Sequence, residues 1–228
     1  MKTILISILM ICCSLTLHAQ EEDKDEFFQE AEAAYTYVNN NKWRGAATAN
    51  WKHLFDKYNW SRWGMDAYIS RKMKFISLEA GITTYYTVDK KTANFLELRP
   101  WFGLRSDFEL SNRLLLMQKF KIERRHFLYK DDTFADMHTT RTRFLLSLKY
   151  DFIKDREDWK LNPTSEWYFV SKNADAERFS NSVEFGLRLL KIFKNEHELA
   201  VGYKRESYKS EYISEDKHGH IFLLEYAF

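Results

Sequence analysis

Apolar and polar side chains alternate along about ten segments of this chain, each 11–16 residues long. In Thr142–Phe152, for example, Phe144 and Leu146 belong to one set and Arg143 to the other. Successive side chains of a strand point to opposite faces, so this pattern predicts β-strands that separate two environments. The segments are 43–55, 61–71, 74–88, 93–106, 113–128, 138–152, 158–171, 177–191, 196–211 and 217–228.

The length of these segments favours a membrane-spanning barrel over two soluble alternatives. Strands of a soluble β-sandwich usually run about 5–6 residues, whereas a tilted strand of about 9–11 residues crosses a bilayer. A soluble lipocalin-like binder remains an alternative, because alternation alone does not tell whether the apolar face points into the barrel or outward. The even strand count, the terminal Phe228 and aromatic residues near strand ends favour the membrane, since such aromatics form interfacial belts. These aromatics are Trp60, Trp63, Trp101, Trp159, Trp167 and Tyr168.

The amino terminus has the pattern of a secretory signal peptide. Lys2 precedes an apolar run at Ile4–Ile11, and Leu17–Ala19 resembles a cleavage site. We therefore expect export, with cleavage after Ala19. Both cysteines, Cys12 and Cys13, lie before that site, so the mature chain is expected to hold no disulfide and no thiol nucleophile.

The expected fold is all-β: an antiparallel up-and-down transmembrane β-barrel of about ten strands, with a short amino-terminal periplasmic segment. The domains are residues 1–19 as signal peptide, 20–42 as a periplasmic leader (a short helix or disordered) and 43–228 as the barrel. Both termini are expected to be periplasmic. The longer, charged connections Tyr129–Met137 and Ser210–Asp216 then become outer loops, in the outer membrane of a Gram-negative bacterium.

Composition excludes several functions. There are 35 Lys and Arg against 33 Asp and Glu, a formal charge of +2, whereas phosphate binding needs a basic surplus; nucleic acid is not an expected partner. An aromatic share of 17% argues against a disordered chain. The seven glycines form no phosphate-cradling loop, so no cofactor is predicted.

Two central segments carry a family resemblance. Arg113–Phe127 (RLLLMQKFKIERRHF) and Thr140–Phe152 (TRTRFLLSLKYDF) resemble the signature of the Bacteroidota outer-membrane barrel family described as domain of unknown function 2490. Its Tyr-Arg-x-Glu-x-Arg-like strand is present as Phe120–Arg125, with Phe and Lys in place of the usual Tyr and Arg. The resemblance implies an outer-membrane barrel. It carries over no catalytic residues, because the family has no known shared activity.

The charged positions are predicted to line the lumen, because an Arg or Lys facing lipid at the bilayer midplane costs about 2–4 kcal/mol. About 8 strands leave room only for side chains, and 16–18 leave an aqueous channel. Ten strands therefore favour a largely filled interior with at most a narrow pore. The predicted lumen residues are Glu97, Arg99, Lys119, Lys121, Glu123, Arg141, Arg143, Lys149, Glu166, Glu184, Arg188, Glu198, Lys204 and Glu225.

Two rim clusters hold the only candidates for chemistry. Asp216, His218 and His220 share one face of an extended segment, a spacing that suits a divalent metal or a His–carboxylate general base. Asp132, Asp136 and His138 form a second group on the same expected side, where paired carboxylates would activate a water. For each cluster a solvated loop is the preferred interpretation, because two histidines without further ligands, or a few acidic residues in a loop, are common at protein surfaces.

The sequence thus favours an outer-membrane barrel without a recognisable catalytic site, acting as a narrow channel or as a structural and binding scaffold. The alternative is an integral outer-membrane hydrolase that uses the rim carboxylates and histidines. Expected partners are outer-membrane lipid and lipopolysaccharide, small polar solutes or ions, and the barrel-assembly machinery through the strand that ends at Phe228.

Overall fold

The computed structural model describes residues 25–55, 59–90, 93–130, 135–153, 158–172, 179, 181–209 and 216–228, the side chains of 209 and 216 excepted. These residues form eleven strands that close into a barrel in chain order. None of the described residues belongs to a helix of the length and hydropathy that a membrane span requires. The strands are β1 (Asp25–Asn39), β2 (Trp43–Leu54), β3 (Trp60–Lys72), β4 (Ser77–Asp89), β5 (Phe95–Ser111), β6 (Leu114–Tyr129), β7 (Met137–Tyr150), β8 (Trp159–Val170), β9 (Ser182–Ile192), β10 (Glu198–Lys209) and β11 (Asp216–Ala227).

The prediction of an all-β barrel is confirmed, with eleven strands in place of about ten. Each strand pairs antiparallel with the next one along the chain, whereas β1 and β11 pair in parallel. An odd number of strands that alternate in direction leaves the first and last pointing the same way, so a parallel pair is the only way to close this barrel. We call that pair the seam.

The additional strand lies where the sequence predicted a leader. Residues 25–39 form β1, which is neither helical nor disordered. Alanine and glutamate favour helices in isolation, but here Glu30 and Glu32 alternate with Ala31 and Ala33, and the alternating set fits between β2 and β11. Pairing on both sides satisfies backbone groups that two open edges would expose, which outweighs the low strand propensity.

The two ends of the barrel differ in their connections. The turn rim holds the connections 40–42, 73–76, 112–113, 151–158 and 193–197, of two to eight residues. The loop rim holds the connections 55–59, 90–94, 130–136, 171–181 and 210–215, of five to eleven residues.

The described chain begins and ends at opposite rims. Asp25 pairs with His218 near the loop rim, and Phe228 donates its N–H to the Ala34 carbonyl at 3.0 Å near the turn rim. The expectation that both termini lie on one side is therefore wrong for the described residues, because β1 and β11 run in parallel.

Polarity is inverted relative to a soluble barrel. On β7, Arg141, Arg143 and Ser147 face inward, while Phe144 and Leu146 face outward. The exposed large apolar side chains lie mainly on the outer face; examples are Met65 (68% exposed), Trp63 (59%) and Phe185 (57%). The buried core consists of charged and aromatic side chains inside the barrel.

Candidate functional site

The barrel interior is the site toward which the charged side chains converge. Strand alternation and register place every residue predicted for the lumen on the inner face. These residues are Glu97, Arg99, Lys119, Lys121, Glu123, Arg141, Arg143, Lys149, Glu166, Glu184, Arg188, Glu198, Lys204 and Glu225.

One ion-pair cluster is centred on Glu97 of β5. Its Oε1 lies 2.5 Å from Nε of Arg99 and 2.5 Å from Nε of Arg125 on β6. The three residues are between 0 and 3% exposed. Two guanidinium groups on one carboxylate leave this cluster with a net positive charge.

The second cluster is centred on Glu123 of β6. Arg141 Nη2 lies 2.7 Å from Oε2, while Arg143 Nη1 and Lys121 Nζ lie 3.1 and 3.0 Å from Oε1. Arg143 also reaches Glu166 Oε1 at 2.7 Å, so this side chain links β6 to β8. Charged side chains from the three adjacent strands β6, β7 and β8 therefore meet inside the lumen here.

The third set of ion pairs lies across the seam. Lys204 Nζ of β10 lies 3.6 Å from Glu30 on β1 and 3.7 Å from Glu184 on β9. Lys52 of β2 lies 3.2 Å from Glu206 on β10. Both lysines reach past β11, so side chains as well as backbone bonds hold the seam closed.

Trp101 of β5 lies in the lumen beside the second cluster, because it is the direct strand partner of Glu123. Its Nε1 donates to Asp66 at 3.0 Å, and Lys121 Nζ lies 4.0 Å from the ring centroid. Gly81 makes room for this ring, because a Cβ there would lie 2.7 Å from Trp101 and 2.6 Å from the Ala67 carbonyl. The indole is a lumen component, although the sequence pattern predicted an interfacial position.

An aromatic cluster lies inside the barrel near the loop rim. Phe179, in the connection between β8 and β9, packs against Tyr208 (ring centroids 4.7 Å apart), Trp60 (5.6 Å) and Phe28 (5.7 Å). Phe179 is 4% exposed. This cluster narrows the loop-rim end of the interior.

A polar cavity of about 180 Å³ lies between the aromatic cluster and the central ion pairs. We call it the chamber. Side chains from both halves of the barrel line it, among them Glu32, Arg62, Tyr85, Arg143, Phe179 and Lys204. It is the size of a small molecule and is surrounded by charge, so it suits a small polar solute.

The carboxy-terminal rim cluster does not assemble a catalytic or metal site. His218 and His220 lie on the outer face of β11, where His218 Nδ1 is 3.1 Å from Ser207 Oγ and His220 Nδ1 is 2.6 Å from the Tyr203 hydroxyl. His220 Nε2 lies 3.6 Å from Asp25 Oδ2. These contacts fasten β1, β10 and β11 together. The side chain of Asp216 lies outside the described residues.

The rim cluster of Asp132, Asp136 and His138 does not assemble a site either, and it lies apart from the cluster on β11. The Tyr129 N–H donates to Asp136 Oδ1 at 3.1 Å, while His138 faces outward with its ring 6.1 Å from that of His126. Three strands separate this part of β7 from β11. Asp132 lies outside the described residues. Within the described ranges, no three His, Cys, Asp or Glu side chains are grouped as metal ligands would be.

Sequence reasoning placed some aromatics on the wrong face and missed several chamber residues. Trp60, Trp101 and Tyr168 lie inside the barrel, whereas Trp63 is on the outer face. The chamber residues that were missed are Glu30, Glu32, Asn50, Lys52, Arg62, Tyr85 and Phe179. Glu30 and Glu32 could have been predicted as inward-facing strand residues, because they are spaced two residues apart between alanines.

Comparisons with known proteins bear on the fold alone. No family model matches the sequence, and no curated protein is significantly similar to it. Among solved structures, the NanC porin matches with a TM-score of 0.51 and 9% identity, covering 78% of this chain and 85% of that chain. The chain thus has a porin-like β-barrel fold.

Proposed function

We propose that this protein is a narrow channel of the bacterial outer membrane for ions and small polar solutes. The observation that carries the proposal is the polarity of the barrel wall, which is apolar outside and charged inside. In water, that arrangement would expose many large apolar side chains, more than monomeric soluble proteins tolerate in one contiguous area. In a bilayer, the outer face meets hydrocarbon and the inner face is shielded from it.

The filled lumen supports a narrow channel over a wide pore. Glu97, Glu123 and Arg125 are each no more than 1% exposed, so the ion-pair clusters occupy the middle of the barrel. Eleven strands also lie closer to the eight-stranded barrels that side chains fill than to the 16–18-stranded porins. Passage of a solute then requires paired side chains to part from one another.

The wider setting is part of the same proposal. Residues 1–19 serve as the signal peptide, and the mature chain is inserted from the periplasm with the strand that ends at Phe228 engaging the barrel-assembly machinery. The outer face then contacts lipid and lipopolysaccharide. The porin-like fold and the apolar outer face support this location.

The test is conductance of the refolded mature chain in a planar bilayer, with folding verified by strand-type circular dichroism and heat-modifiable mobility on a gel. We expect reproducible ohmic steps, well below those of a wide porin. The control is the same chain, heat-unfolded and added in the same detergent. The absence of conductance from folded protein would overturn the channel proposal. Recovery of the protein in the carbonate-soluble fraction of cells would overturn the proposed membrane location.

A further inference from the structure

Two opposite charges in the chamber lack an ion-pair partner among the described residues. Each of the other charged side chains that line the chamber lies within 4.0 Å of an opposite charge, as described above. In the part of the chain that the structure describes, no such contact is made by Arg62 of β3 or Glu32 of β1. Within the described ranges, the chamber therefore contains one guanidinium and one carboxyl group that no ion pair occupies.

Arg62 is held by aromatic rings. Its guanidinium carbon lies 4.6 Å from the centroid of Tyr85, 5.7 Å from that of Trp60 and 5.9 Å from that of Phe179. Its Nε is buried without a hydrogen-bond acceptor. Ring contacts orient the group without neutralising it, and a buried donor without a partner is costly. A ligand carboxylate would supply the missing acceptor in the fork geometry that a guanidinium prefers.

Glu32 lies one inner-face row closer to the turn rim. Directly paired residues of β1, β2 and β3 form rows across the inner face. One row contains Glu30, Lys52 and Arg62, and the next row contains Glu32, Asn50 and Gly64. With about 4.8 Å between strands and about 3.3 Å per residue, the Cα atoms of Glu32 and Arg62 are about 12 Å apart. Both side chains project toward the barrel axis, so their charged ends are closer than that.

Gly64 lets two chamber residues pack against the wall between Glu32 and Arg62. A Cβ at this position would lie 2.4 Å from Asn50 Oδ1 and 2.4 Å from Tyr85 Cε1. The missing side chain therefore makes room for the Asn50 amide and the Tyr85 ring, and both of these line the chamber.

We infer that the chamber binds a small amino-acid zwitterion, with the ligand carboxylate on Arg62 and the ligand ammonium group on Glu32. An anion alone would leave the Glu32 carboxylate unpaired, and a cation alone would leave Arg62 unpaired; each arrangement retains a desolvated charge. The chamber volume suits such a ligand, because an apolar cavity of about 150 Å³ holds a benzene ring. The inference rests on the proposed function, since the solute reaches the chamber through the lumen.

The experiment is isothermal titration of the refolded chain in detergent with zwitterions and their single-charge analogues. Glycine and γ-aminobutyrate present short and long charge separations, while glycinamide carries only the cation and acetate only the anion. We expect saturable binding of at least one zwitterion, about tenfold tighter than either single-charge analogue.

The variants Arg62→Gln and Glu32→Gln should each weaken zwitterion binding about tenfold. Arg205→Gln on the exposed outer face and Glu109→Gln at the exposed end of β5 are the matched controls and should bind like the parent. If Arg62→Gln fails to fold, Arg62→Lys keeps the charge and should bind more weakly than the parent.

Two results would overturn the zwitterion site: no binding of either zwitterion by folded protein, or acetate binding as tight as zwitterion binding and unaffected by Glu32→Gln. Binding in detergent does not require conduction, so the two proposals fail separately. Zwitterion binding by a barrel that shows no conductance would overturn only the channel proposal. Conductance without zwitterion binding would overturn only the proposed binding site.

Discussion

The Nε atom of Arg125 lies 2.5 Å from Oε1 of Glu97, and these two side chains are 0% and 1% exposed. The pair joins β5 to β6 in the middle of the lumen, and Arg99 shares the same carboxylate. Burying charges carries a large desolvation penalty, which only the mutual attraction of the partners offsets. The cluster is therefore stable as a unit and sensitive to the loss of any member.

Glu97→Gln should destabilise the refolded barrel by about 3–5 kcal/mol, because it leaves two buried guanidinium groups without their carboxylate. The measurement is urea unfolding followed by tryptophan fluorescence. The control is Asp107→Asn, which breaks the rim pair with Arg105, whose side chains are 40% and 23% exposed. That change should cost no more than about 1 kcal/mol. Equal losses for the two variants would mean that the Glu97 cluster is solvated.

Phe179→Ala should raise the single-channel conductance. The ring packs against Tyr208 and Trp60, so its removal opens the aromatic cluster at the loop-rim end of the interior. The matched control is Phe185→Ala, which removes the same ring from the outer face, where Phe185 is 57% exposed. An unchanged conductance in Phe179→Ala would place the narrowest point elsewhere in the barrel.

Ile82→Arg should destabilise the protein in lipid vesicles by about 2–4 kcal/mol, as expected for a charge on the lipid face at mid-bilayer depth. Ile82 is 45% exposed and lies midway along β4. Phe75→Arg, in the 73–76 connection at the turn rim, should cost about 0–1 kcal/mol. Vesicle unfolding titrations measure both variants. Similar costs at the two depths would contradict the proposed orientation in a bilayer.

The double variant Ala31→Cys with Leu224→Cys should form a disulfide across the seam on oxidation. These residues are direct partners in the parallel pair, and neighbouring strands bring Cα atoms within the 4.4–6.8 Å that a disulfide spans. Residues 20–228 contain no other cysteine, so a non-reducing gel of this part of the chain, unfolded, reports the cross-linked loop directly. Ala31→Cys with Phe185→Cys is the control and should stay reduced. A reduced seam pair in folded protein would mean that β1 does not close the barrel.

The face of the barrel on which a side chain lies is easier to predict from the sequence than the residues with which that side chain pairs. Alternation along β7 reflects an apolar outer face and a mainly polar inner face, with Leu145 as the exception on the inner face. Pairing of Arg143 with Glu166 depends on the register between β7 and β8, which alternation leaves open. The lumen charges were therefore predictable individually, while the ion-pair clusters were not.

Aromatic and small residues account for the remaining errors. A Trp near a strand end suits an interfacial belt as well as a lumen, and the acceptor that holds Trp101 inside, Asp66, is 35 positions away in sequence. Residues 25–39 are rich in alanine, which favours a helix locally, and only closure of the whole barrel makes them a strand. Both errors arise because the deciding contacts are long-range.

The parallel seam also affects the order in which the barrel assembles. Every other strand pair is a neighbour in sequence, whereas Asp25 and His218 are 193 positions apart. Loop-closure entropy grows with the logarithm of the separation, so bringing these ends together costs about 2 kcal/mol more than closing a hairpin of about a dozen residues. Hairpins thus form before the seam, and the ion pairs that cross it, Lys52 with Glu206 and Lys204 with Glu30, form after them. We therefore expect substitutions at the seam to alter the refolding rate more than substitutions within a single hairpin, because the seam contacts have by far the largest sequence separation.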